Sequence, residues 1–501
     1  MNLTPASRRL GHPDPSFGSK GVFVVQFDGY DDVEPGEIDS VRALDRAPDG
    51  SLMLALGFKN DDGSVWLYGL ARLTPDGKRD PAYGAGKGFV LGSLTSAQRM
   101  MGAQPWITPD GKTVVVLRDQ ASRTWTLARH ESSGAQDLNF GATGGYINLD
   151  AIRPPGERVV VKGFIIAGPE SGFYFIGSTR EPVAERAPEG DTKTEGDTKT
   201  EGDTTTEGDT TTEGGSTRAG PYAGAVVFRF DGSGRLDTTF ADRGYVYVDV
   251  PLNPSGRITD AVVQDDGKLV LSTATTSGNS RIVRLLADTG TPDPDFGKDG
   301  QGFVEVRGDS ADRIEIEKLA WSSEAGLWGL GRSMLLSHKG VLIALDGHGE
   351  IREDFNGGNG LMEITYDGLS AGDGFSWPVH IHTSGRGVTV AGGPRRPFGN
   401  EPKALIVGRH GYSGALDPSF GDADETGTPK GFYTVDLDRK GANFFFLGID
   451  LDDEQLTLEL LNGDGGGTSN PDRTTVERYV VSQASREAKV AISYEVKRRR
   501  P

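Results

Sequence analysis

The stretch ALDPSFGDADETGTPKGFYTVDLD (Ala415–Asp438) nearly repeats PDPSFGSKGVFVVQFD (Pro13–Asp28), four hundred residues earlier in a 501-residue chain. The shared signal is an aspartate, an aromatic three residues later, and a glycine leading a short apolar run. Seven copies occur, starting at Asp14, Asp80, Asp137, Asp237, Asp293, Arg352 and Asp417. Their aromatics are Phe17, Tyr83, Phe140, Phe240, Phe296, Phe355 and Phe420. The runs that follow (GVFVVQF at Gly21, GYVYVDV at Gly244, GFYTVDL at Gly431) are rich in Val and aromatics and bounded by turn residues, which predicts strands.

Successive copies lie 66, 57, 100, 56, 59 and 65 residues apart. A period near 60 residues with several strands per copy reads as a stack or ring of supersecondary units. Within the first unit, SVRALD, the turn PDG (Pro48–Gly50), SLMLALG and VWLYGLARL supply three further strands. The second and fourth units repeat that order around PDG (Pro109–Gly111) and DDG (Asp265–Gly267). The expected fold class is therefore all-β: a seven-bladed β-propeller of four-stranded antiparallel blades, an arrangement that limits open sheet edges. One domain is expected over residues 1–501.

DPSFG with its trailing GFV, the PDGK turns and GLARLTPDG (Gly69–Gly77) resemble the delta-60 repeats of bacterial β-propeller proteins. The resemblance covers nearly the whole chain. It implies the propeller fold and says almost nothing about activity. Ala241 and Asn356 replace the motif glycine, and Arg352 replaces the aspartate.

The third strands end around Arg72, Arg129, Arg229, Arg284 and Arg409. Eight residues on come Asp80, Asp137, Asp237 and Asp417, and nine after Arg284 comes Asp293. Across a turn between antiparallel strands this spacing returns a carboxylate to an arginine fork. The alternative is an Asx turn made by the aspartate alone, with the arginine stem covering the blade edge. At the one exception both members change together, to Ala344 and Arg352. Arg478 near the end and Asp14 near the start each lack a partner at that spacing, so the first strand is expected to close the ring in the last blade. KVAISYEVK (Lys489–Lys497) is then left for an outer edge.

The turns between first and second and between third and fourth strands are uniform. The remaining connections, on the other face, vary in length and composition. Partner sites favour variable loops on a rigid scaffold, which makes Asp31, Asp32, Trp377 and Phe398 the candidate binding residues. The hexads EGDTKT and EGDTTT from Glu189 carry no apolar residue, so residues 182–220 are expected to be a disordered insertion in the third blade.

The net charge of −19 argues against nucleic acid, and no apolar run is long enough for a membrane span. The absence of cysteine removes disulfides and thiolate chemistry. The first residues lack the apolar stretch of a Sec signal, so the expected location is cytoplasmic, or outside by another route. Catalytic residues, cofactors and metals are expected to be absent. Calcium at the oxygen-rich Asp28–Asp32 and Asn462–Asp472 is the nearest alternative, without EF-hand spacing. His380 and His382 share one side of a strand and read as half-buried rather than as ligands. The leading functional expectation is a non-enzymatic scaffold for a protein or glycan. The alternatives are a hydrolase or lyase with a carboxylate or metal site at the channel mouth, and a component of a secreted or toxin-like assembly. The oligomeric state is not legible.

Overall fold

The computed structural model describes residues 16–18, 22–23, 38–59, 66–92, 98–99, 105–119, 124–142, 144–153, 158–180, 222–241, 243–248, 257–274, 279–308, 313–334, 339–366, 375, 377–393, 404–422, 426–436, 442–451, 455–464 and 473–480. They form six four-stranded antiparallel sheets and one of five strands. Sheet one holds Ile38–Arg46, Leu52–Lys59, Trp66–Leu73 and Phe89–Leu91. In sheet two the first strand is split into Gln98–Arg99 and Trp106–Ile107, followed by Thr113–Asp119, Trp125–His130 and Tyr146–Asn148. Sheet three holds Val159–Ala167, Phe173–Arg180, Tyr222–Phe230 and Tyr245–Val248; the low-complexity hexads fall between its second and third strands, outside the described residues. Sheet four holds Arg257–Val263, Leu269–Ala274, Arg281–Leu285 and Phe303–Glu305. Sheet five holds Ile314–Ser322, Gly326–Ser333, Gly340–Leu345 and Leu361–Glu363. Sheet six holds Trp377–Ser384, Gly387–Gly393, Ala404–His410 and Phe432–Asp436. Sheet seven combines Ala442–Leu451, Gln455–Asp464 and Arg473–Val480 with Val22–Phe23 from the chain start, in the register Val22 to Glu477 and Phe23 to Val476. Lys489–Lys497 lies outside the described residues.

The core sits between successive sheets. Second strands such as TVVVL (Thr113–Leu117) are buried at every position because both of their faces are covered. Val114 and Val116 pack toward Phe173, Phe175 and Phe228 of sheet three, while Val115 and Leu117 pack toward Met53, Ala55 and Leu70 of sheet one. The period-two alternation of a strand thus divides each sheet between two neighbours. The same interleaving joins sheets three and four, four and five, and five and six. Each fully buried side chain of this size contributes about 1.5–3 kcal/mol. The first strands also lie against one another from sheet to sheet, that of sheet seven touching those of sheets six and one.

Trp125 and Trp328 are buried in these interfaces. Trp321 differs: it is only half-buried, and its Nε1 donates to Asp265 Oδ1 at 3.3 Å. Half-burial at a sheet's end suits a side chain whose ring is apolar and whose N–H needs an acceptor.

The motif aromatic is the joint between sheets. In each described case its ring lies over a glycine in the third-to-fourth turn of the next sheet: Phe17 over Gly77, Tyr83 over Gly134, Phe140 over Gly234, Phe240 over Gly290, Phe296 over Gly349 and Phe355 over Gly414. A Cβ on Gly234 would meet the Phe140 ring at 2.4 Å, and its φ of +79° already excludes most side chains. The residue after each aromatic then donates its N–H to that turn: Gly84 to Ser133 O at 2.8 Å, Gly141 to Ser233 O at 3.0 Å, Gly297 to His348 O at 2.8 Å. Gly18 does the same to Asp76 O of sheet one at 2.6 Å. Ala241 and Asn356 keep the bond, to Asp288 O at 2.8 Å and Ser413 O at 3.0 Å, at the cost of left-handed φ values of 52° and 46°. Asn tolerates that conformation better than Ala.

Two opposite effects on urea-unfolding free energy follow. Ala241→Gly should stabilise by about 1 kcal/mol, the relieved left-handed strain less the gain in unfolded-chain entropy. Gly297→Ala should destabilise by about 1–3 kcal/mol, because its Cβ would stand 2.2 Å from Phe303 O.

Candidate functional site

The arginines that end the third strands reach the aspartates of the following turns. Arg129 Nη2 and Nε stand 2.8 and 2.9 Å from Asp137 Oδ2, both groups buried. Arg229 and Arg284 place Nε 2.8 Å from Asp237 and Asp293 Oδ2. Arg72 Nε is 3.2 Å from Asp80, and Arg409 Nη1 is 3.9 Å from Asp417. The other carboxylate oxygen of each aspartate, Oδ1, closes an Asx turn, accepting the N–H of Ala82, Asn139, Thr239, Asp295 or Ser419 at 2.8–3.0 Å. One carboxylate therefore faces the arginine with one oxygen and accepts the turn N–H with the other, so the two readings of its position are not exclusive.

Two features of this joint had no sequence signal. The guanidinium lies over the motif ring, its Cζ 4.2–5.0 Å from the centroid in the pairs Arg129–Phe140, Arg229–Phe240, Arg284–Phe296 and Arg409–Phe420. Its Nη1 also donates across to the next sheet's turn: Arg72 to Ser132 O at 3.1 Å, Arg229 to Ala287 O at 2.6 Å, Arg129 to Gly232 O and Arg284 to Gly347 O. In sheet five the arginine moves instead of disappearing. Trp328, opposite Ala344 in the ladder, fills the vacated space edge-on to Phe355, and the Arg352 guanidinium stands over Trp328, bonded to Ala325 O and Asp354.

Burial opposes ionisation of Asp137 and Asp293, but hydrogen bonds and nearby cations outweigh it. For Asp137 these are Lys112, Arg129 and the Asn139 N–H; for Asp293, the Asp295 N–H, Lys268 and Arg284. Both carboxyls are held below the usual range, so they are charged at neutral pH.

All of these groups belong to the face carrying the first-to-second and third-to-fourth turns. Asp31, Asp32 and Phe398 of the expected binding face lie outside the described residues, as do Asp14 and the Arg478 side chain. Trp377 opens the first strand of sheet six opposite Gly393. His380 and His382 on that strand are half-buried, and among the described residues no three His, Asp or Glu side chains group as a metal site. No described helix is long and apolar enough to cross a membrane.

A charged cluster that sequence reading did not single out lies where the first strands of sheets four and five begin. Arg332 Nη2 stands 2.9 Å from Glu315 Oε2 and 3.0 Å from Glu317 Oε1, and Arg257 Nη2 is 3.3 Å from Glu315 Oε1. Glu317 is the unpaired residue of a β-bulge, and like Glu315 it reaches Arg332. Burial raises the Glu317 carboxyl above the usual range against the pull of Arg332. Farther along, the half-buried Asp260 accepts the Leu319 N–H at 2.9 Å, with burial pushing its carboxyl up.

Residues 264–296, from the first turn of sheet four to its motif aromatic, match the family model described as a domain of unknown function (DUF5122) beta-propeller. No curated protein matches the chain. Among solved structures, the chain is similar to the beta-propeller domain of the Trilobed protease from Pyrococcus furiosus, with 9% identity, 90% of this chain and 95% of that one covered, and a TM-score of 0.41. It is similar to the acylaminoacyl peptidase of Pyrococcus horikoshii at 11% identity and a TM-score of 0.40, over 88% of this chain but about half (51%) of that one. A protein of unknown function from Dyadobacter fermentans is covered in full (100%) by 95% of this chain, at 11% identity and a TM-score of 0.37.

Asp137→Ala should cost about 3–5 kcal/mol by urea denaturation, since it strands a buried cation. Asp417→Ala should cost less, about 1–3 kcal/mol, because its pair with the buried Arg409 is longer, at 3.9 Å. Because the folded Asp137 carboxyl is depressed, its contribution is present above the unfolded value near ~3.9 and lost as pH falls below it. Asp137→Asn should accordingly flatten the stability profile below about pH 4.

Proposed function

We propose that the chain is a single seven-bladed β-propeller, closed by its own first strand, that serves as a recognition scaffold for a protein or glycan. Support for closure comes from Phe17 and Gly18. They make with Gly77 and Asp76 the same ring-on-glycine contact and N–H bond that the other described motifs make with the next sheet. The pairing of Val22–Phe23 with Arg473–Val480, and the contact between the first strands of sheets seven and one, agree with it.

The observation that carries the functional reading is the unequal use of the two faces. On one, aspartates, arginines, glycines and rings are committed at nearly every unit to holding the neighbour. The opposite face bears the connections that differ from unit to unit, and such loops are where scaffolds place partner contacts. An enzymatic role has less to rest on: Glu315 and Glu317 are both engaged by Arg332.

Two experiments separate the parts of this reading. If Phe17 seats like the other motif rings, Phe17→Ala costs about 3–5 kcal/mol by urea denaturation; a loss well under 1 kcal/mol defeats closure by the chain start. For the binding face, retention on a panel of immobilised glycans should fall at least tenfold in Trp377→Ala and Phe398→Ala, with unchanged thermal unfolding. Retention that survives replacement of residues 367–374 and 395–403 by short turns excludes those loops as the site, and no retention by the wild type leaves a protein as the ligand.

A further inference from the structure

The residue after each third-strand arginine position closes a small bridge to the turn that follows it. The six described examples are Leu73, His130, Phe230, Leu285, Leu345 and His410. All are buried. Four are apolar, as a dry interface between sheets requires. Two are histidines, and they are bonded alike.

His130 Nδ1 lies 3.0 Å from Gly134 O, and its Nε2 lies 2.9 Å from Tyr68 Oη of sheet one. His410 Nδ1 lies 3.0 Å from Gly414 O, and its Nε2 lies 3.4 Å from Tyr366 Oη, which follows the last strand of sheet five. A carbonyl only accepts, so the proton of each neutral ring is on Nδ1. Nε2 is left as an acceptor, and the tyrosine O–H donates to it. Tyr68 comes from a third strand and Tyr366 from beyond a fourth, so the same arrangement is reached from two different positions of the repeat. Gly134 and Gly414 are also the seats of the rings of Tyr83 and Phe355, which ties each histidine to the joint between sheets.

We propose that His130 and His410 are acid-sensitive latches between sheets one and two and between sheets five and six, so that mild acid loosens the molecule first at these joints. A second ring proton would point at the tyrosine hydrogen, and a cation would be buried without a counter-charge. Tyr68 faces His130 with the uncharged Tyr83 and Tyr146 near it, and Tyr366 faces His410. Burial, countered in part by the glycine carbonyl, is what acts on each ring and holds it below the usual histidine range. The sign follows: stability is full above the unfolded value near ~6.5 and is lost as pH falls from there through the folded value. A ring still neutral at pH 5 raises the unfolding equilibrium constant by about 30-fold relative to neutral pH.

Urea unfolding between pH 7.5 and 5.0 tests this with the pairs Tyr68→Phe/His130→Leu and Tyr366→Phe/His410→Leu, leucine being the residue at this position in sheets one, four and five. Each pair should remove up to about 30-fold of the wild-type acid loss, and hydrogen exchange in wild type at pH 5.5 should rise first in Trp66–Leu73, Trp125–His130 and Ala404–His410. An acid loss unchanged in the four-substitution variant overturns the proposal. If the variants do not fold, NMR of ring-labelled histidine in the wild type decides. Two rings neutral at pH 5.5 support the latches, and titration of every ring near pH 6.5 overturns them.

Discussion

The structure depends on the contact between a motif aromatic and a glycine of the following sheet. A four-stranded sheet with apolar side chains on both faces cannot stand alone in water, so each one must be covered twice. The ring on glycine fixes how far and at what angle the next sheet approaches. The N–H bond beside it and the arginine across it then hold the pair in register. Because ring, arginine and carboxylate occupy one small volume, the joint combines apolar burial with a cation over a ring and a satisfied ion pair. Each would be weaker apart, since the charges would be left without partners or exposed to solvent.

Sheet five shows that the joint is defined by the space it fills and not by residue identity. Without an arginine on its third strand, the volume goes to Trp328, and the cation returns from the motif itself as Arg352. The carbonyl it bonds changes from the next sheet's turn to Ala325 of its own. What is kept is a cation over an aromatic ring at the edge of the interface. What is lost is one bond between sheets, leaving the Asn356 N–H to Ser413 as a direct link there.

Fastening along one face leaves the other free to differ among units, because loop changes on the opposite side do not disturb the joints. The proposed recognition role rests on that division. The buried histidines introduce a second kind of inequality. They make two interfaces dependent on protonation where the same position elsewhere holds Leu or Phe, so the interfaces need not yield together.

How much of this was legible depends on the range of each interaction. The sequence by itself determined the repeat and the strand order within a unit, because these are set by spacing and by period-two burial, and it offered the partnership of Arg129 with Asp137 as one of two readings of a single hairpin. It also marked Ala241 and Asn356 as departures, since a residue in a glycine position stands out in a repeat. Only the tertiary structure decided that Arg129 reaches Gly232, that Phe17 rests on Gly77, that Glu315 and Glu317 share Arg332, and that Tyr68 and Tyr366 find equivalent histidines. Several of these contacts join residues tens of positions apart, across sheets or between strands of one sheet. Their existence depends on the angle and distance at which the sheets pack, quantities that no spacing along the chain encodes.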